Sequence, residues 1–231
     1  MTTRLKGCDM TLKLAVFDVD GTLVDSQGDI LASMTAAFDS VGLALPAKAQ
    51  VLSIVGLSLP QAMARLVPDA EESLRDQMVD TYKDSYADLR RSVGHAPLYP
   101  GIAYMFERLG RYDNLLLGIA TGKSRRGLTA LLAGLDLPVQ FVTTQVADDH
   151  PSKPHPSMLQ AALRESGVEI EHAVMIGDTS FDMDMAKAAG FKSIGVSWGY
   201  HTEEALAQAD ILVHDAGAIE QNIEQLLGGF E

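Results

Sequence analysis

The first recognisable pattern in the chain is a short apolar run, Leu14 to Phe17, that ends abruptly in Asp18, Asp20 and Gly21. A continuous apolar run closed by turn residues is typical of a buried strand in a parallel sheet. The pair Asp20-Gly21 is also a common hairpin turn. A turn does not explain Asp18, because an unpaired charge at the end of a buried strand is costly. The pattern therefore predicts a strand whose carboxyl end carries functional carboxylates.

From residue 25 to about 94 the apolar positions recur at helical spacing, and no strand pattern is present. The first helix ends near Gly42, and a second begins with the capping-box pattern Ser58-x-x-Gln61. A third, long helix has its cap at Asp69-x-x-Glu72. Its apolar face carries Leu74, Met78, Tyr82, Tyr86 and Leu89. Apolar positions at this helical spacing are typical of helices that pack around a common core.

Beyond Tyr99, strand and helix patterns alternate. The predicted strands are Leu115–Ala120, Val139–Thr143, Ala173–Ile176, Ser193–Val196 and Ile211–Val213. The predicted helices are 101–110, 124–133, 156–166, 181–189, 202–208 and 215–227. This alternation predicts an α/β fold, with a parallel sheet covered by helices on both faces.

The pattern divides the chain into two predicted domains. Residues 1–25 and 95–231 form a Rossmann-like, doubly wound α/β core, and residues 26–94 form a small all-helical cap inserted after the first strand. Hinges are expected near 25–28 and 94–100, where the insert leaves and rejoins the sheet.

Charge and composition narrow the function classes. With 18 Lys and Arg against 31 Asp and Glu, the net charge of −13 argues against a nucleic-acid surface or an anionic membrane as partner. Cys8 is the only cysteine, which excludes an intrachain disulfide and a cysteine-based zinc site. The first ten residues lack an apolar targeting core, and no run reaches membrane-spanning length. We expect a cytoplasmic protein. No pattern in the sequence indicates its oligomeric state.

Two further strand ends carry candidate chemistry. The strand from Leu115 runs into Thr121-Gly122-Lys123, where a hydroxyl and the free N–H groups of a helix start suit a phosphate. Capping of the helix by Thr121 is the open alternative. A nucleotide P-loop is excluded, because that motif needs glycine where this chain has Leu117.

The strand from Ala173 ends in Gly177-Asp178-Thr179-Ser180-Phe181-Asp182. Carboxylates at Asp178 and Asp182 suit a helix start, where they offset the helix dipole. A calcium-binding loop is excluded, because Met183 and Ala189 stand where its glycine and glutamate are required. Lys153, in a proline-rich loop, is expected to lie among these acids and favour their ionised forms.

In a parallel sheet these strand ends share one edge, so we expect Asp18, Asp20, Asp178 and Asp182 to meet beside Thr121 and Lys153. Clustered carboxylates repel unless a divalent cation lies among them, and all-oxygen ligation favours Mg²⁺. A carboxylate beside a bound phosphorus atom is then a nucleophile.

These motifs together resemble the haloacid dehalogenase-like phosphatase superfamily, and within it the phosphoglycolate phosphatase group. The resemblance is carried, in order along the chain, by DVDGTLVDS at 18–26, Thr121-Gly122-Lys123, Lys153-Pro154 and GDTSFD at 177–182. The helical insert lies where a cap of that superfamily would lie. The resemblance implies a phosphatase that acts on a small phosphorylated metabolite such as 2-phosphoglycolate.

The resemblance also implies residue roles. Asp18 would attack phosphorus and form a phosphoaspartyl intermediate, and Asp20 would act as acid and then as base. Thr121, Gly122 and Lys153 would hold the phosphoryl group. Mg²⁺ would be bound by Asp18, the Asp20 carbonyl and Asp178, with Asp182 acting through water or from outside the ligand shell.

Several alternatives remain beside a phosphatase. The related dehalogenases lack the second aspartate followed by Gly-Thr, so Asp20-Gly21-Thr22 disfavours a dehalogenase. A sugar-phosphate mutase of the superfamily usually has a lysine before and an arginine after a Gly-x-Ser segment of its cap. Here Val55 and Leu59 flank Gly56-Leu57-Ser58, which disfavours a mutase. A phosphoaspartate switch would be shorter and would accept phosphate on its third strand.

A serine-hydrolase elbow is a further alternative, because Gly195-Val196-Ser197-Trp198-Gly199 fits G-x-S-x-G at a strand end. That motif needs an acid and then a histidine downstream, but only 34 residues remain after Ser197, and Asp210 with His214 is a cramped choice. None of the six histidines forms a compact metal-ligand set.

The cap is expected to select the substrate, with Gly56, Ser58 and Arg65 as candidates to face the site, although each also fits an ordinary helix or loop position. Trp198-Gly199-Tyr200 is expected to shape the rim of the site.

Overall fold

Six strands form a single all-parallel sheet in residues 11–230, the part of the protein that the computed structural model describes. The strands are β1 (Lys13–Phe17), β2 (Leu115–Thr121), β3 (Thr143–Val146), β4 (Ala173–Gly177), β5 (Lys192–Val196) and β6 (Ile211–Val213). Their order across the sheet is β3-β2-β1-β4-β5-β6. The expectations about Cys8 and a targeting segment concern residues 1–10, which lie outside the described residues.

Nine α-helices accompany the sheet within residues 11–230. They are α1 (Gln27–Asp39), α2 (Lys48–Leu52), α3 (Leu59–Leu66), α4 (Glu72–Val93), α5 (Ile102–Leu109), α6 (Arg125–Gly134), α7 (Ser157–Ser166), α8 (Ser180–Ala189) and α9 (Gly217–Leu227). None of these helices combines the length and the apolarity needed to cross a bilayer.

Both faces of the sheet are buried, as the unbroken apolar run of β1 predicts. Side chains alternate along a strand, so Ala15 and Phe17 join one buried cluster while Leu14 and Val16 join another on the opposite face. Helices α5, α6 and α9 supply the first cluster, and α7 and α8 supply the second. The doubly wound α/β fold is confirmed.

The strand order reverses at β1, and this places the functional edge. Phe17, the last residue of β1, pairs with Ile119 of β2 and Ile176 of β4. The residues that follow these three strands therefore leave the sheet at one carboxyl edge, at the switch point where ligands bind in open α/β sheets.

Helices α1 to α4 pack around a third apolar cluster of their own, which also takes in Phe181. The chain passes into and out of this helical unit at neighbouring points. The Asp25 N–H donates to the Pro97 carbonyl over 2.9 Å, and the Tyr99 N–H donates to the Leu23 carbonyl over 2.9 Å. We call residues 26–94 the cap, and their division from the core stays a prediction.

The third strand was predicted wrongly at Val139–Thr143, since the observed strand is Thr143–Val146. The apolar residues that suggested the earlier start are packed from a loop, where Phe141 meets Phe106 at 5.6 Å between ring centroids. The actual strand lies at the sheet edge, and its Thr143 hydroxyl donates to Glu165 over 2.6 Å.

The predicted helix over 202–208 is also wrong, because this segment is a series of turns with only Leu206 buried. Two predicted caps differ as well. Ser58 precedes α3 without a side-chain cap bond, and α4 starts after Glu71 rather than Asp69. The five-residue α2 has no predicted counterpart.

We predict that Phe106→Ala lowers the free energy of unfolding by about 3–5 kcal/mol, the usual loss for a buried phenylalanine. Phe106 is fully buried on α5 and lies edge-on to Phe17, with their centroids 5.2 Å apart. Tyr104→Ala on the same helix is the control, because Tyr104 is 58% exposed and its removal should change stability by less than about 1 kcal/mol. Urea denaturation measures both, and equal losses would contradict this account of the core.

Candidate active site

A buried ammonium group lies between two carboxylates at the carboxyl edge of the sheet. Asp18 follows β1, and the Lys153 Nζ donates to Asp18 Oδ1 over 2.7 Å and to Asp182 Oδ1 over 2.6 Å. All three side chains are almost completely buried. Lys153 comes from the proline-rich loop before α7, and its bond to Pro154 is cis. The structure thus brings together Asp18, Lys153 and Asp182.

Asp178 joins this cluster from the end of β4. Its Oδ1 accepts from the Thr22 hydroxyl and its Oδ2 from the Tyr200 N–H, each over 2.8 Å. Gly21 and Gly199 make room for the carboxylate, since a Cβ on either would lie 2.2 Å from an Asp178 atom. Gly21 also has a φ of +86°, which glycine adopts without strain.

Asp182 lies in the first turn of α8 and its two oxygens have different partners. Its Oδ2 accepts from the N–H and the hydroxyl of Thr179, over 3.0 and 2.7 Å, and so completes a capping box. Its Oδ1 accepts from Lys153. Because both oxygens are engaged, Asp182 fixes the position of Lys153 as well as the start of α8.

Burial dominates the electrostatics of the cluster. The pKa of Asp18 is raised to about 7, chiefly by desolvation and also by the Asp182 charge, against the opposing attraction of Lys153. Burial, followed by the charges of Asp18 and Asp182, raises the pKa of Asp178 well above its usual range. For Lys153, burial lowers the pKa, but the two neighbouring carboxylates outweigh it and raise the pKa above its ordinary value.

The donor set of this cluster fits a hard divalent cation. Asp18 Oδ2 is buried and has no hydrogen-bond partner, so one oxygen in the cluster is free to bind a ligand. Asp18, Asp178 and Asp182 each offer a carboxylate oxygen within 4.8 Å of the others. Oxygen ligands alone suit Mg²⁺ better than zinc, and a bound cation would relieve the repulsion among the acids.

Asp20 lies apart from this cluster and has its own cation. Its Oδ1 accepts from the Lys123 Nζ over 2.8 Å and from the Ser26 hydroxyl. The same Lys123 Nζ donates to the Tyr86 hydroxyl of the cap over 3.0 Å. Sequence reasoning missed these contacts, and no spacing pattern could have indicated them, because the partners of Lys123 lie 103 and 37 positions away along the chain.

Thr121 is the last residue of β2, and Gly122 begins the loop that leads to α6. Ser124, not Thr121, caps α6, since its hydroxyl accepts from the Gly127 N–H over 3.1 Å. The open alternative of capping by Thr121 is therefore wrong. A Cβ on Gly122 would lie 2.7 Å from the Leu57 carbonyl oxygen, so a glycine here allows the cap loop to approach the core closely.

A cavity of about 700 Å³ separates the cap from the sheet edge. Asp18, Asp20, Thr121 and Gly122 all line it, which places both carboxylates and the predicted phosphate loop on one wall. Gly56 and Ser58, two of the three cap candidates from the sequence, line the same cavity next to the Gly122 loop. The third cap candidate is Arg65, which does not line the cavity, because its guanidinium lies 4.9 Å from the centre of the Phe181 ring.

The cap contacts the core directly at two further points. The Ser58 N–H donates to the Ser152 hydroxyl over 2.8 Å, and His201 Nε2 lies 3.2 Å from the Ser53 carbonyl oxygen. Tyr200 also lies at the rim, with its hydroxyl 3.0 Å from that of Ser26. The cap is therefore closed over the carboxylates in this structure.

The structure does not form the catalytic triad that the serine-hydrolase alternative requires. The Ser197 hydroxyl lies 2.9 Å from His214 Nδ1, but Asp210 accepts from Ser193 instead of supporting the histidine. The nearest carboxylate to His214, that of Glu203, faces the same Nδ1 atom at 3.4 Å. A triad needs the base to use both ring nitrogens, so these residues do not form one.

The comparisons with known proteins agree with this geometry. The family described as haloacid dehalogenase-like hydrolase matches residues 15–196. A phosphoglycolate phosphatase of Mesorhizobium japonicum is 30% identical over 221 residues, covering 91% of this chain and 95% of that protein. A pyrophosphatase of Bacillus pumilus is 30% identical over 202 residues, covering 86% and 89%. A predicted phosphatase of Clostridium acetobutylicum has the same fold, with a TM-score of 0.82, 23% identity and coverage of 94% and 100%.

We predict that Asp18→Asn makes the stability of the metal-free protein less dependent on pH between 5 and 8. The folded-state pKa of Asp18, about 7, exceeds its ordinary value of 3.8, so ionising this carboxyl weakens folding. The stabilising contribution of the protonated carboxyl is complete below pH 4 and is lost as the pH rises through 7. The amide does not ionise, so in EDTA the stability of the variant relative to the wild type should be higher at pH 8 than at pH 5. Thermal melts at both pH values measure the difference, and a variant less stable at pH 8 than at pH 5 relative to the wild type would contradict it.

Proposed function

The chain belongs to the haloacid dehalogenase-like hydrolase family and is a hydrolase of phosphate esters, and we propose that it releases phosphate from a small phosphorylated metabolite through a phosphoaspartyl intermediate on Asp18. The observation that carries this proposal is the state of Asp18. Its Oδ1 is held by a buried lysine, while its Oδ2 is unpartnered at the wall of a cavity. A nucleophile needs this combination of a fixed orientation and a free lone pair.

In the first step, an oxygen of Asp18 forms a bond to phosphorus and the bond from phosphorus to the ester oxygen breaks. Asp20 supplies the proton that the leaving oxygen takes up, which makes it the general acid. In the second step, Asp20 takes a proton from water as the water oxygen attacks phosphorus. This releases inorganic phosphate and regenerates the Asp18 carboxylate.

Thr121 and Gly122 are proposed to hold the phosphoryl oxygens, because they lie at the carboxyl end of β2 and line the same cavity as both aspartates. Lys153 keeps Asp18 oriented and offsets negative charge beside the phosphoryl group. Positioning and charge neutralisation of this kind supply most of the catalysis in phosphoryl transfer.

Mg²⁺ is the proposed cofactor. Asp18, Asp178 and the backbone carbonyl of Asp20 would hold it, with Asp182 acting through water, since the charge of Asp182 is already paired with Lys153. When bound, the ion neutralises the charge of the phosphoryl group and of the clustered carboxylates.

The cavity wall also fits a negatively charged small molecule. Five cationic side chains line it in a protein whose net charge is −13: Lys83, Arg90, Arg91, Lys123 and Arg126. Arg90, Arg91 and Lys123 are each paired with a carboxylate. The attraction for an anionic ester therefore comes mainly from Lys83 and Arg126, and it acts at an enclosed site rather than along an extended surface. The proposal therefore includes no nucleic acid and no membrane as partner, and it places the reaction in the cytoplasm.

The test of this proposal is a phosphate-release screen with Mg²⁺. The panel contains 2-phosphoglycolate and pyrophosphate, the compounds named for the relatives, together with sugar phosphates, nucleotides and 4-nitrophenyl phosphate. We expect hydrolysis of at least one monoester, its loss in EDTA and its recovery on adding Mg²⁺. Undiminished activity in EDTA would contradict the cofactor, and no release from any ester would contradict the function.

We predict that Asp18→Asn lowers the turnover number at least about 10³-fold, because an amide oxygen is a far weaker nucleophile than a carboxylate. Asp76→Asn, on the exposed side of α4, is the matched control and should retain wild-type turnover. Steady-state phosphate release measures both variants, with circular dichroism to show that they are folded.

The intermediate is detected directly by acid quenching during turnover. The wild type should carry phosphate on the peptide that contains Asp18, and the label should disappear once the substrate is consumed. Label on another residue would overturn the assignment of the nucleophile. A label that outlasts the substrate by hours would instead indicate a phosphoaspartate switch.

A further inference from the structure

The cavity above the carboxylates is much larger than the chemistry at Asp18 requires. Its volume of about 700 Å³ falls within the range of pockets that enclose a drug-sized ligand. A phosphate with a two-carbon acid, as in 2-phosphoglycolate, would leave most of this space to water. We therefore expect the remaining space to be occupied by the leaving group, the part of the substrate that departs with the ester oxygen.

Most of the wall that faces this space is apolar, although Lys83, Arg91 and Arg126 also line the cavity. Away from the aspartates it is formed by the cap, with side chains from α1, α3 and the loop before α3: Ile30, Met34, Ile54, Leu59 and Ala62. Covering such a wall with a polar group gains nothing, whereas an apolar group removes the surfaces of both partners from water. The wall favours an apolar leaving group.

Two tyrosines of α4 give this wall a flat surface. Tyr82 and Tyr86 both line the cavity, with their ring centroids 6.0 Å apart and their planes inclined by 17°. Aromatic faces favour planar partners, which stack with a small offset. The Tyr86 hydroxyl is held by Lys123, and this contact fixes the ring next to Asp20.

Arg90 adds an unmet hydrogen-bonding requirement one turn further along α4. Its guanidinium carbon lies 5.3 Å from the centre of the Tyr86 ring, and its Nη2 pairs with Asp29. Its Nε and Nη1 are buried and have no hydrogen-bond partner. Buried donors without partners are costly, so a ligand oxygen that accepts from them would be strongly favoured.

These features meet around the Tyr86 ring. Lys123, which contacts Asp20, has its Nζ 4.8 Å from the centre of this ring, and the Arg90 guanidinium carbon lies 5.3 Å from it, so the ring is next to both cations. We infer that the substrate is a phosphate monoester of a planar, largely apolar group that carries a hydrogen-bond-accepting oxygen within reach of the Arg90 guanidinium. This inference rests on the proposed phosphatase activity and names the substrate class of the same site.

The first test compares kcat/KM for 1-naphthyl phosphate and 2-phosphoglycolate with Mg²⁺. The wild type should prefer the naphthyl ester at least about 10-fold, because its second ring covers apolar wall that the small acid leaves exposed. Ala87→Leu fills the cavity beside Tyr86 and should reduce that preference about 10-fold. Asp84→Leu, an exposed position on the same helix, should leave the preference unchanged.

A wild-type preference for 2-phosphoglycolate would overturn the inference. An equal loss of both activities in Ala87→Leu would overturn it too, since the substitution would then act on the reaction rather than on the space for the leaving group.

The second test concerns Arg90. Arg90→Lys keeps the positive charge for Asp29 but removes the fork of donors. It should lower kcat/KM for 4-methylumbelliferyl phosphate, a planar ester with a ring carbonyl, about 10-fold more than for 1-naphthyl phosphate, which lacks this acceptor. Each variant is compared with the wild type on the same ester, so differences in ester reactivity cancel. If Arg90→Lys lowers kcat/KM equally for the two esters, the part of the inference that assigns a hydrogen-bond-accepting oxygen to the substrate is wrong.

A binding measurement separates this inference from the proposed function. Calorimetry with the Mg²⁺-loaded wild type compares two compounds that cannot be hydrolysed, 1-naphthylmethylphosphonate and phosphonoacetate. At least about 10-fold tighter binding of the naphthyl compound supports the inference even if no ester is turned over, in which case only the phosphatase proposal fails. Tighter binding of phosphonoacetate overturns the inference while leaving a measured phosphatase activity intact.

Discussion

The contact of one buried ammonium group with two buried carboxylates determines the arrangement of the site. Lys153 lies between Asp18 and Asp182, and each bond is shorter than 2.8 Å. Removing a partner from such a group leaves an uncompensated charge in a low-dielectric interior, which is strongly destabilising. The loop before α7, the end of β1 and the start of α8 are therefore held together by one side chain, and the free oxygen of Asp18 results from this geometry.

The sheet and the meeting of Asp18 with Asp178 were predictable because parallel strands follow a simple rule. The apolar runs before these two residues indicated buried parallel strands, and the carboxyl ends of such strands share an edge. The same reasoning failed at β3, where Val139 and Phe141 are apolar but pack from a loop. A short apolar run shows that a segment is buried and does not show that its backbone pairs with a strand.

The parts of the site that sequence reasoning missed are contacts between distant side chains. Lys123 was noted only as the end of a phosphate-binding motif, although it joins Asp20 of the core to Tyr86 of the cap. Arg90 belongs to a helix that was predicted, but periodicity identifies the buried face of a helix and not the polar group that lacks a partner. Such contacts depend on how the cap lies over the sheet, and no local pattern encodes that position.

The two chain crossings between the sheet and the cap lie side by side, where Asp25 bonds to Pro97 and Tyr99 to Leu23. A helical unit that is joined to the sheet by two neighbouring connecting segments can be exchanged for another of different length without altering the register of the sheet. Only the two junctions have to match. The surroundings of the cavity can therefore change in size and shape without moving the carboxylates or the lysine that holds them.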